Sequence, residues 1–537
     1  MPPQNSPKYK ACILNKPKKV LKHTLELKWI LFTLVAGKSI MDLIKELHFV
    51  LSQQQAAVLE KIIPASSKMS LLYQLIVNRE VNSDEEAALR IYKSPKIDKK
   101  YLMLKRSLVH KLSDLVFKLS GSDSLLSNYE TIRLIVAKEL LIAEKMLNEN
   151  VYHNPSKIIA KAEQQANQYF LIDLQLEAAI KLRSVYALKG YPAETALYQE
   201  KVKQLQILNQ QLTDARGFWE VIYSKTKFSN AKTPGLFNEA QSYQVKIEGW
   251  HKENFNPYLK LFAIRIGLVA NYQLNRFEEI FNLLLAYQQL LENYPFLVSK
   301  QATLDLHFQF ACYYRHVRQL EKALEEITIC LQLSHYQAFN QFLIQEIHFD
   351  VLIKLEAYDE ALNVLNEVMA QVQFPFLDPY DKSVWAIREA YLYFIFYATH
   401  KESPIQMLPN FAGGIDINRF LDQTKKSAKD KYGHNISLLL IRLQLLLIKD
   451  PKRIEYEGNN LMVYFHRYMK TLPDQRTLLF FKTLSKLASQ GFLPEQAKQT
   501  EENFLKELYQ LDTHYDTHEL IPYPIFWQLT KQLIQSN

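Results

Sequence analysis

Two histidines and two aspartates lie close together near the C-terminus, at a spacing that could bind a metal ion. In a helix, His514 and His518 would lie one turn apart on one face, and Asp512 and Asp516 would do so on a neighbouring face. Imidazole nitrogens and carboxylate oxygens placed in this way can chelate a divalent cation. The sequence offers no third partner, however, and polar residues just before Pro522 are also typical of a helix end. We therefore expect no metal site and keep these four residues as a weak candidate.

Neither the cysteines nor the glycines form a recognisable catalytic or nucleotide-binding motif. The three cysteines lack the spacing of a disulfide framework or a zinc site, and Cys330 falls where a small buried residue is expected. Gly37 and Lys38 lack the earlier glycine of a phosphate-binding loop, because Phe32 occupies its position. We therefore expect no catalytic residue and no cofactor, with a reduced, cytoplasmic environment as the default.

Basic side chains are concentrated in one predicted helix near residues 99–111, where they could contact nucleic-acid phosphates. Together with the segments before it, this helix would complete a helix-turn-helix-like arrangement over 70–120. Leu104, Leu108 and Leu112 form an apolar stripe on the other face, so the cations are also what a solvent-facing surface would carry. Because no set of residues for reading bases accompanies them, nucleic-acid binding is an alternative and not the expected function. The candidate contact residues are Lys99, Lys100, Lys105, Arg106 and Lys111.

The formal net charge of +9 is concentrated at the N-terminus. Residues 1–40 carry eight lysines against one acidic residue, Glu26, and the rest of the chain is close to neutral. This basic extension has three interpretations: a disordered or over-called start before Met41, a weak signal or membrane-surface segment, or a genuine basic arm. No run of about 20 apolar residues occurs, so we expect no transmembrane span.

From Met41 onwards, hydrophobic residues recur every three or four positions, which predicts an all-α fold. Glycine is scarce, at 12 of 537 residues, as expected for stacked helices joined by short turns. The least helical stretch is 404–414, and it indicates an internal boundary. We therefore expect an N-terminal helical domain over 41–120, stacked helical hairpins over 121–400, and a C-terminal helical segment over 401–537 that continues the stack.

A short pattern recurs at intervals of about 40 residues. Its clearest copies begin at Arg276, Gln319 and Ala357. Each continues with an apolar residue, two polar residues and then a residue that is small in two copies, Ala323 and Ala361. A small residue lets the second helix of a hairpin pack closely on the first. Because one hairpin cannot bury both of its faces alone, the pattern predicts that hairpins stack on one another.

Between residues 259 and 376 the chain resembles the tetratricopeptide repeat. The best unit follows that family's alternation of large and small residues at Phe310, Ala311, Tyr314, Leu320, Ala323, Ile327 and Cys330. The repeat spacing is longer than the roughly 34 residues of the family, and Ile280 stands at a small-residue position. The chain over 41–537 also resembles a family of bacterial helical-repeat proteins with no assigned activity. The similarity lies in an acidic phrase at residues 84–89 that precedes a long helical-repeat body. The resemblance implies a TPR-like α-solenoid.

Such a solenoid would present a groove formed mainly by the first helix of each hairpin. The residues that the resemblance places in this groove carry mixed charges and aromatic rings, which suits capture of an extended peptide or a partner helix. We therefore predict a non-enzymatic protein–protein interaction scaffold, whose partner and oligomeric state the sequence does not identify. The alternatives are a DNA-binding regulator that uses residues 70–120 and an enzyme with no recognisable motif. The predicted groove residues are Arg265, Tyr272, Asp305, Phe308, Arg315, His316, Glu346, Asp350 and Lys354.

Overall fold

The computed structural model describes most of the chain from residue 40 onwards, in two compact units that meet in sequence between Lys138 and Glu139. Every regular element among the described residues is a helix, which confirms the predicted all-α class. The basic extension predicted over 1–40 lies outside the described residues except for Ile40. No helix within the described ranges is long and apolar enough to cross a bilayer. These ranges are 40–52, 67–78, 80–81, 83–94, 97–119, 128–151, 153–226, 235–334, 340–414, 416–425, 427–431, 433–470, 472, 474–511 and 514–536.

The first unit is built from short amphipathic helices around one apolar core. Ser67 and Ser83 cap two of them, because each hydroxyl accepts a hydrogen bond from a backbone N–H in the first turn. Leu72, Ile76 and Leu108 are fully buried in the core that these helices share. The helices that share this core are α1 (Ile40–Ser52), α2 (Lys68–Val77), α3 (Asp84–Tyr92) and α4 (Lys99–Leu119). Helix α5 (Asn128–Asn148) follows and spans the sequence boundary between the units.

The second unit is a succession of helices in which each packs mainly against its neighbours in sequence. Its first part comprises α6 (His153–Gln168), α7 (Ile172–Leu188), α8 (Pro192–Thr226), α9 (Leu236–Glu253), α10 (Pro257–Tyr272), α11 (Phe277–Asn293), α12 (Lys300–His316), α13 (Leu320–Leu333), α14 (Asn340–Lys354) and α15 (Tyr358–Ala370). Its second part comprises α16 (Pro379–Ala398), α17 (Glu402–Gln406), α18 (Ile417–Gln423), α19 (His434–Lys449), α20 (Ile454–Tyr464) with a π-helical turn Phe465–Met469, α21 (Gln475–Ser489), α22 (Pro494–Gln510) and α23 (Tyr523–Ser536).

The same tight turn ends the first helix of successive hairpins. One residue takes the left-handed conformation, and the next backbone N–H donates to the carbonyl five positions earlier, as Gln319 does to Tyr314 at 2.9 Å. This Schellman arrangement satisfies the last carbonyls of the helix and reverses the chain. It precedes each of the three sequence copies by one residue. The left-handed residues of the four hairpins from α10 to α17 are Asn275, Arg318, Glu356 and His400.

Small and apolar side chains seal the hairpins as the sequence pattern predicts. Ala323 and Ala361 are fully buried at the start of α13 and α15, and Ile280 is fully buried at the matching position of α11. First helices also contact the next first helix, since α8 packs on α10 and α12 packs on α14. Helices α10 and α12 are joined by a side-chain contact, because Arg265 donates to Asp305.

The largest core lies in the C-terminal part of the second unit, from α14 to α23. It is rich in aromatic rings, and Trp385, Phe394 and Phe480 are almost completely buried. Helix α16 is buried along nearly its whole length, and it packs against both α19 and α23. The last helix of the chain is thus part of the same core as the hairpins from α14 onwards.

Candidate functional site

The nine predicted groove residues all lie on three first helices. Arg265 and Tyr272 are on α10, while Glu346, Asp350 and Lys354 are on α14. The other four, Asp305, Phe308, Arg315 and His316, are on α12. The structure gathers eight of these residues into three separate places: a cavity between α8, α10 and α12, an ion-pair network between α12, α14 and α16, and a contact with the segment that precedes α23. The ninth, Phe308, packs against the core of α12, α13 and α14.

An ion pair joins α10 to α12 at the first of these places. Arg265 Nη2 donates to Asp305 Oδ2 at 2.9 Å, and both side chains keep about a quarter of their surface exposed (25% and 26%). The Tyr287 hydroxyl donates to the same carboxylate oxygen at 3.1 Å. Burial raises the pKa of Tyr287 to about 12, with the nearby Asp305 carboxylate adding to the shift, so the phenol keeps its proton. Tyr287 lies on the second helix of its hairpin, whereas the predicted groove residues all lie on first helices.

A cavity of about 50 Å³ opens beside this ion pair. Trp219 from α8 forms one wall, and the Arg265 guanidinium carbon lies 5.9 Å from the centre of a Trp219 ring. This distance is within the range of a cation–π contact. Trp219 and Gln309 were not predicted as groove residues. The cavity is lined by Trp219, Arg265, Leu268, Val269, Tyr272, Asp305 and Gln309.

Two polar atoms of the cavity residues are buried without a hydrogen-bond partner in the described part of the chain. They are the Nε of Arg265 and the hydroxyl oxygen of Tyr272. Burial raises the pKa of Tyr272 well above its usual value, so its hydroxyl is protonated and able to donate. A buried donor without an acceptor is costly, and native structures leave few of them. Two donors of the cavity residues are therefore left without an acceptor among the described residues.

The second place is a buried ion-pair network that ties α12 and α14 to α16. Arg315 Nη1 lies 2.9 Å from Asp350 Oδ2, and Arg388 donates to Asp350 Oδ1 from both Nε (3.1 Å) and Nη2 (2.9 Å). Arg388 Nη2 also donates to Glu346 at 2.9 Å. Burial opposes ionisation of Asp350, but Arg388 and Arg315 outweigh it and lower the pKa of the carboxyl. Three of the predicted groove residues therefore join neighbouring helices, through an arginine that the groove prediction did not include.

At the edge of this network, burial is the main influence on the pKa values of Glu346 and Lys354, and it shifts them in opposite directions. The pKa of Glu346 is raised by burial despite its bond to Arg388. The pKa of Lys354 is lowered by burial to about 8, although Asp350 opposes the shift. Burial therefore favours the neutral form of both side chains more than water would.

The third place is a contact between the ends of α12 and α14 and the irregular segment 514–522. Lys354 Nζ donates to the backbone carbonyls of Glu519 (2.5 Å) and Leu520 (3.1 Å). The backbone N–H of Tyr515 donates to the His316 carbonyl at 2.8 Å, and His316 Nδ1 lies 2.9 Å from the Tyr515 carbonyl. His316 and Lys354 are both buried by these contacts. The chain's own C-terminal segment therefore covers this part of the predicted groove.

The weak metal candidate falls within the same segment, and the helix on which its spacing depended is absent there. His514, Asp516 and His518 lie in an irregular stretch, and Asp512 lies outside the described residues. Asp516 Oδ2 accepts a hydrogen bond from the backbone N–H of Thr477 at 2.8 Å, which fixes the start of α21. Within the described residues, no group of three or more His, Cys, Asp or Glu side chains is placed to hold a metal ion.

The five cations of the nucleic-acid alternative differ in their surroundings. Lys105 is 2% exposed, and its Nζ lies 2.6 and 2.7 Å from the two carboxylate oxygens of Asp84. Tyr101 donates to Asp84 as well, at 2.7 Å, so the first residue of the acidic phrase fixes α3 against α4. Lys99, Lys100 and Arg106 are exposed and Lys111 is half-buried. Lys105 is therefore a core ion-pair residue and not part of a solvent-facing basic surface.

The two described cysteines are poor nucleophiles. Burial raises the pKa of Cys312 to about 11 and that of Cys330 to about 12, which keeps both as thiols at neutral pH. Cys330 packs in the core between α12, α13 and α14, as its position in the repeat predicted.

No protein-family model, curated protein or solved structure matches this chain. The TPR-like resemblance therefore depends on the residues of the hairpins alone. Among the three places in the groove, the cavity between α8, α10 and α12 differs from the other two because the side chains of its ion pair are each about a quarter exposed.

Proposed function

We propose that this protein is a non-enzymatic interaction scaffold, a TPR-like solenoid that binds a peptide segment of a protein partner across α8, α10 and α12. The recurring Schellman turn supports the solenoid, because it occurs at Asn275, Arg318, Glu356 and His400, and the first three of these directly precede the copies of the sequence pattern. Contacts between successive first helices support it further. A stack of this kind gives a partner a continuous surface made of one helix from each hairpin.

The observation that carries the proposal is the cavity beside Arg265 and Asp305. It brings charged, aromatic and amide side chains from three helices to one opening, which is the composition of a recognition site for a peptide. Its volume of about 50 Å³ is well below the roughly 300–1,000 Å³ of a typical small-molecule pocket. The cavity therefore suits one side chain of a larger partner better than it suits a whole substrate.

The position of the remaining groove residues limits where the partner binds. His316 and Lys354 are covered by the segment 514–522, and Asp350 is enclosed by two arginines. We therefore place the partner surface at the α10 end of the predicted groove. Phe308 of α12 is half-buried, packs against the core of α12, α13 and α14, and does not line the cavity.

A photocrosslinking experiment tests the proposal in the cells that produce the protein. A benzoylphenylalanine residue replaces Gln309, which lines the cavity, and in a control it replaces Glu292, which is exposed on α11. We expect a crosslinked protein partner from position 309 and none from position 292. Equal products from both positions, or only self-crosslinks, would contradict the proposal.

A pair of charge-neutral double variants then tests whether the side chains matter. Arg265→Gln with Asp305→Asn removes the ion pair at the cavity and should abolish partner capture while leaving the far-UV circular dichroism unchanged. The matched control is Lys225→Gln with Glu239→Gln, which removes a similar ion pair between α8 and α9 at 2.5 Å. The control should capture the partner normally. Loss of capture in both variants would assign the effect to general destabilisation.

A further inference from the structure

We infer that helix α20 and the turns at its two ends bind a single-stranded nucleic acid. The inference goes beyond the proposed function, because this surface lies in the C-terminal part of the second unit and shares no residue with the cavity beside Arg265. The charge of the surface, the pairing of its cations, their placement along α20 and the side chains between them support it.

Positive charge is concentrated between residues 425 and 486, although the chain after residue 40 is close to neutral overall. This stretch contains 13 lysines and arginines against five acidic residues. Ten of the cations are exposed, whereas Glu455 is the only exposed acid among the described residues of the stretch. The surface of this part of the chain therefore carries a local excess of positive charge.

The ten exposed cations form no ion pair with a residue that the structure describes. The two arginines of the stretch that are not exposed do have partners. Arg442 pairs with Glu457 at 3.2 Å. Arg476 pairs with Glu519 at 2.8 Å. Exposed lysines elsewhere also form ion pairs, as Lys203 does on α8 at 3.2 Å. The cations between 425 and 486 are therefore available to an anionic partner.

Cations from two elements lie together at the C-terminal end of α20. Lys431 is in the connection that leads into α19, and Arg467 is in the π-helical turn that follows α20. The Lys431 Nζ is 5.7 Å and the Arg467 guanidinium carbon is 6.0 Å from the centre of the Tyr468 ring. The Tyr464 hydroxyl donates to the Lys431 carbonyl, which holds the connection against α20. Two like charges beside one ring repel each other, so a phosphate group near them lowers the electrostatic energy.

A second group of cations lies at the N-terminal end of the same helix. Lys449 is the last residue of α19, and Lys452 and Arg453 are in the 3₁₀ turn that leads directly into α20. Helix α20 has 11 residues and is therefore about 16 Å long. A ligand that reaches both ends has to be extended and to carry several negative charges, as a nucleic-acid strand does. The two groups form the α20 basic surface, which consists of Lys431, Lys449, Lys452, Arg453, Arg467 and Lys470.

The exposed side chains between the two groups fit unpaired bases. Tyr456 on α20 is 68% exposed, the largest fraction among the large hydrophobic side chains that the structure describes. Asn459 and Asn460 follow it by about one turn and are also exposed. A tyrosine ring can stack on a base, and an asparagine amide can hydrogen-bond to a base edge. Because paired bases are stacked inside a duplex, the ring favours a single strand.

Helix α20 lacks the apolar face that binding to a membrane surface would require. Ile454 and Leu461 are buried in the core, and Val463 is the one exposed aliphatic side chain of the helix. Peripheral helices bind a bilayer by burying a whole apolar face among the lipids. The surface therefore fits a nucleic-acid strand better than an anionic bilayer.

Fluorescence anisotropy titrations of the full chain test the inference. The labelled probes are oligouridylate and oligothymidylate of about 12 nucleotides and a DNA duplex of about 12 base pairs. We expect saturable binding of at least one single strand and at least fivefold weaker binding of the duplex, and the preferred sugar identifies the strand as RNA or DNA. Equally tight binding of the duplex, or no binding of either single strand, would overturn the inference.

Two charge-removing variants test whether the binding takes place on the α20 basic surface. The test variant combines Lys431→Gln, Lys452→Gln and Arg467→Gln. The matched control combines three exposed lysines of the second unit outside this surface, in the changes Lys157→Gln, Lys252→Gln and Lys498→Gln. The test variant should bind the preferred strand at least tenfold more weakly, and its slope of log affinity against log salt should be smaller by about 2. An equal loss in both variants would assign the binding to the overall charge of the chain and overturn the site.

A tyrosine variant tests the contact with a base. Tyr456→Leu should weaken single-strand binding at least fivefold without changing the salt slope, because stacking on a base releases no counterions. The control is Tyr509→Leu, since Tyr509 is 57% exposed on α22 outside the surface, and its affinity should stay that of the parent protein. Unchanged affinity in Tyr456→Leu would overturn the assignment to unpaired bases.

Competition separates nucleic acid from other polyanions. Phosphatidylglycerol vesicles and polyglutamate are added to the complex with the labelled strand, at the same concentration of negative charge as an unlabelled strand. We expect only the unlabelled strand to displace the label efficiently. Equal displacement by the vesicles or by polyglutamate would overturn the assignment to nucleic acid and identify a bilayer or an acidic peptide as the ligand.

Discussion

At the scale of single residues, the second unit depends on a small number of buried charges whose partners come from different helices. Arg388 is the clearest case, because its guanidinium is buried and holds two carboxylates from α14. The residues around it in α16 are almost all apolar, which indicates a buried helix but does not identify the partners of the arginine. Its role follows only from the packing of α16 against α14, so pattern reasoning had no means of finding it.

Replacing Arg388 by methionine should lower the free energy of unfolding by about 3–5 kcal/mol, since it leaves Glu346 and Asp350 buried with too few counter-charges. Urea denaturation followed by circular dichroism measures the change. The control is Lys203→Met, because Lys203 and Glu200 form an exposed ion pair and its loss should cost less than about 1 kcal/mol. Similar costs for the two variants would mean that the buried network contributes little.

His434 should make the protein sensitive to acid. Burial, together with the positive charge of Arg388, lowers its pKa to about 3 in the folded state, against about 6.5 in an unfolded chain. Between these two pH values the unfolded state binds a proton that the folded state does not. The free energy of unfolding therefore falls as the pH is lowered from about 6.5 towards 3, by up to about 1.4 kcal/mol per pH unit from this residue.

The His434→Gln variant tests this pH dependence. Chemical denaturation at several pH values should give a shallower loss of stability between pH 6 and pH 4 for the variant than for the parent protein. Above pH 7.5 the imidazole is neutral in both states, so the two curves should run parallel there. Parallel curves over the whole range would show that His434 takes up its proton equally in both states.

At the scale of elements, the repeated pattern predicted where the hairpins turn. It did not predict which residue of each turn takes the left-handed conformation. The copies beginning at Arg276, Gln319 and Ala357 start one residue after a left-handed residue in each case. The left-handed residues themselves are Asn275, Arg318 and Glu356, so no glycine marked them. This also explains how so many reversals occur in a chain with only 12 glycines.

At the left-handed turn of Glu356, the effect of a substitution on stability should depend on the backbone preference of the new residue. Its φ is 59°, a conformation that costs a β-branched residue about 1–2 kcal/mol and costs glycine almost nothing. We expect Glu356→Val to lower the thermal midpoint and Glu356→Gly to leave it unchanged or raise it. The control is Glu360→Val on the exposed face of α15, where the change should be within about 0.7 kcal/mol. Equal effects of valine at both positions would contradict the turn argument.

The repeat pattern predicted some residues at the candidate cavity and missed others. Arg265, Tyr272 and Asp305 were predicted because the groove positions of the repeat fall on them. Trp219 lies on α8, before the best-matching units, and Tyr287 lies on a second helix. Residues that reach a site from outside the repeated positions carry no periodic signal.

At the scale of the whole molecule, the most consequential contact joins residues almost 200 positions apart. Segment 514–522 binds the ends of α12 and α14 through its backbone, and Glu519 forms an ion pair with Arg476 in which both side chains are almost fully buried (0% and 2% exposed). The sequence suggested only a helix end and a weak metal candidate here. Because the segment makes these contacts mostly through backbone carbonyls, its side-chain sequence could not predict them.

A variant that ends at Gln510 should therefore lose more than its last helix. It removes the acceptors of Lys354, the partner of Arg476 and the apolar side chains of Ile521 and Phe526 from the core. Hydrogen exchange followed by mass spectrometry should show faster exchange in α14, α19 and α21 than in the full chain. Helices α8, α9 and α10 share a separate apolar core and should keep their protection, which provides the internal control. Unchanged protection of α14 and α21 would mean that the segment is an appendage, and the α14 end of the predicted groove would then be open to a partner.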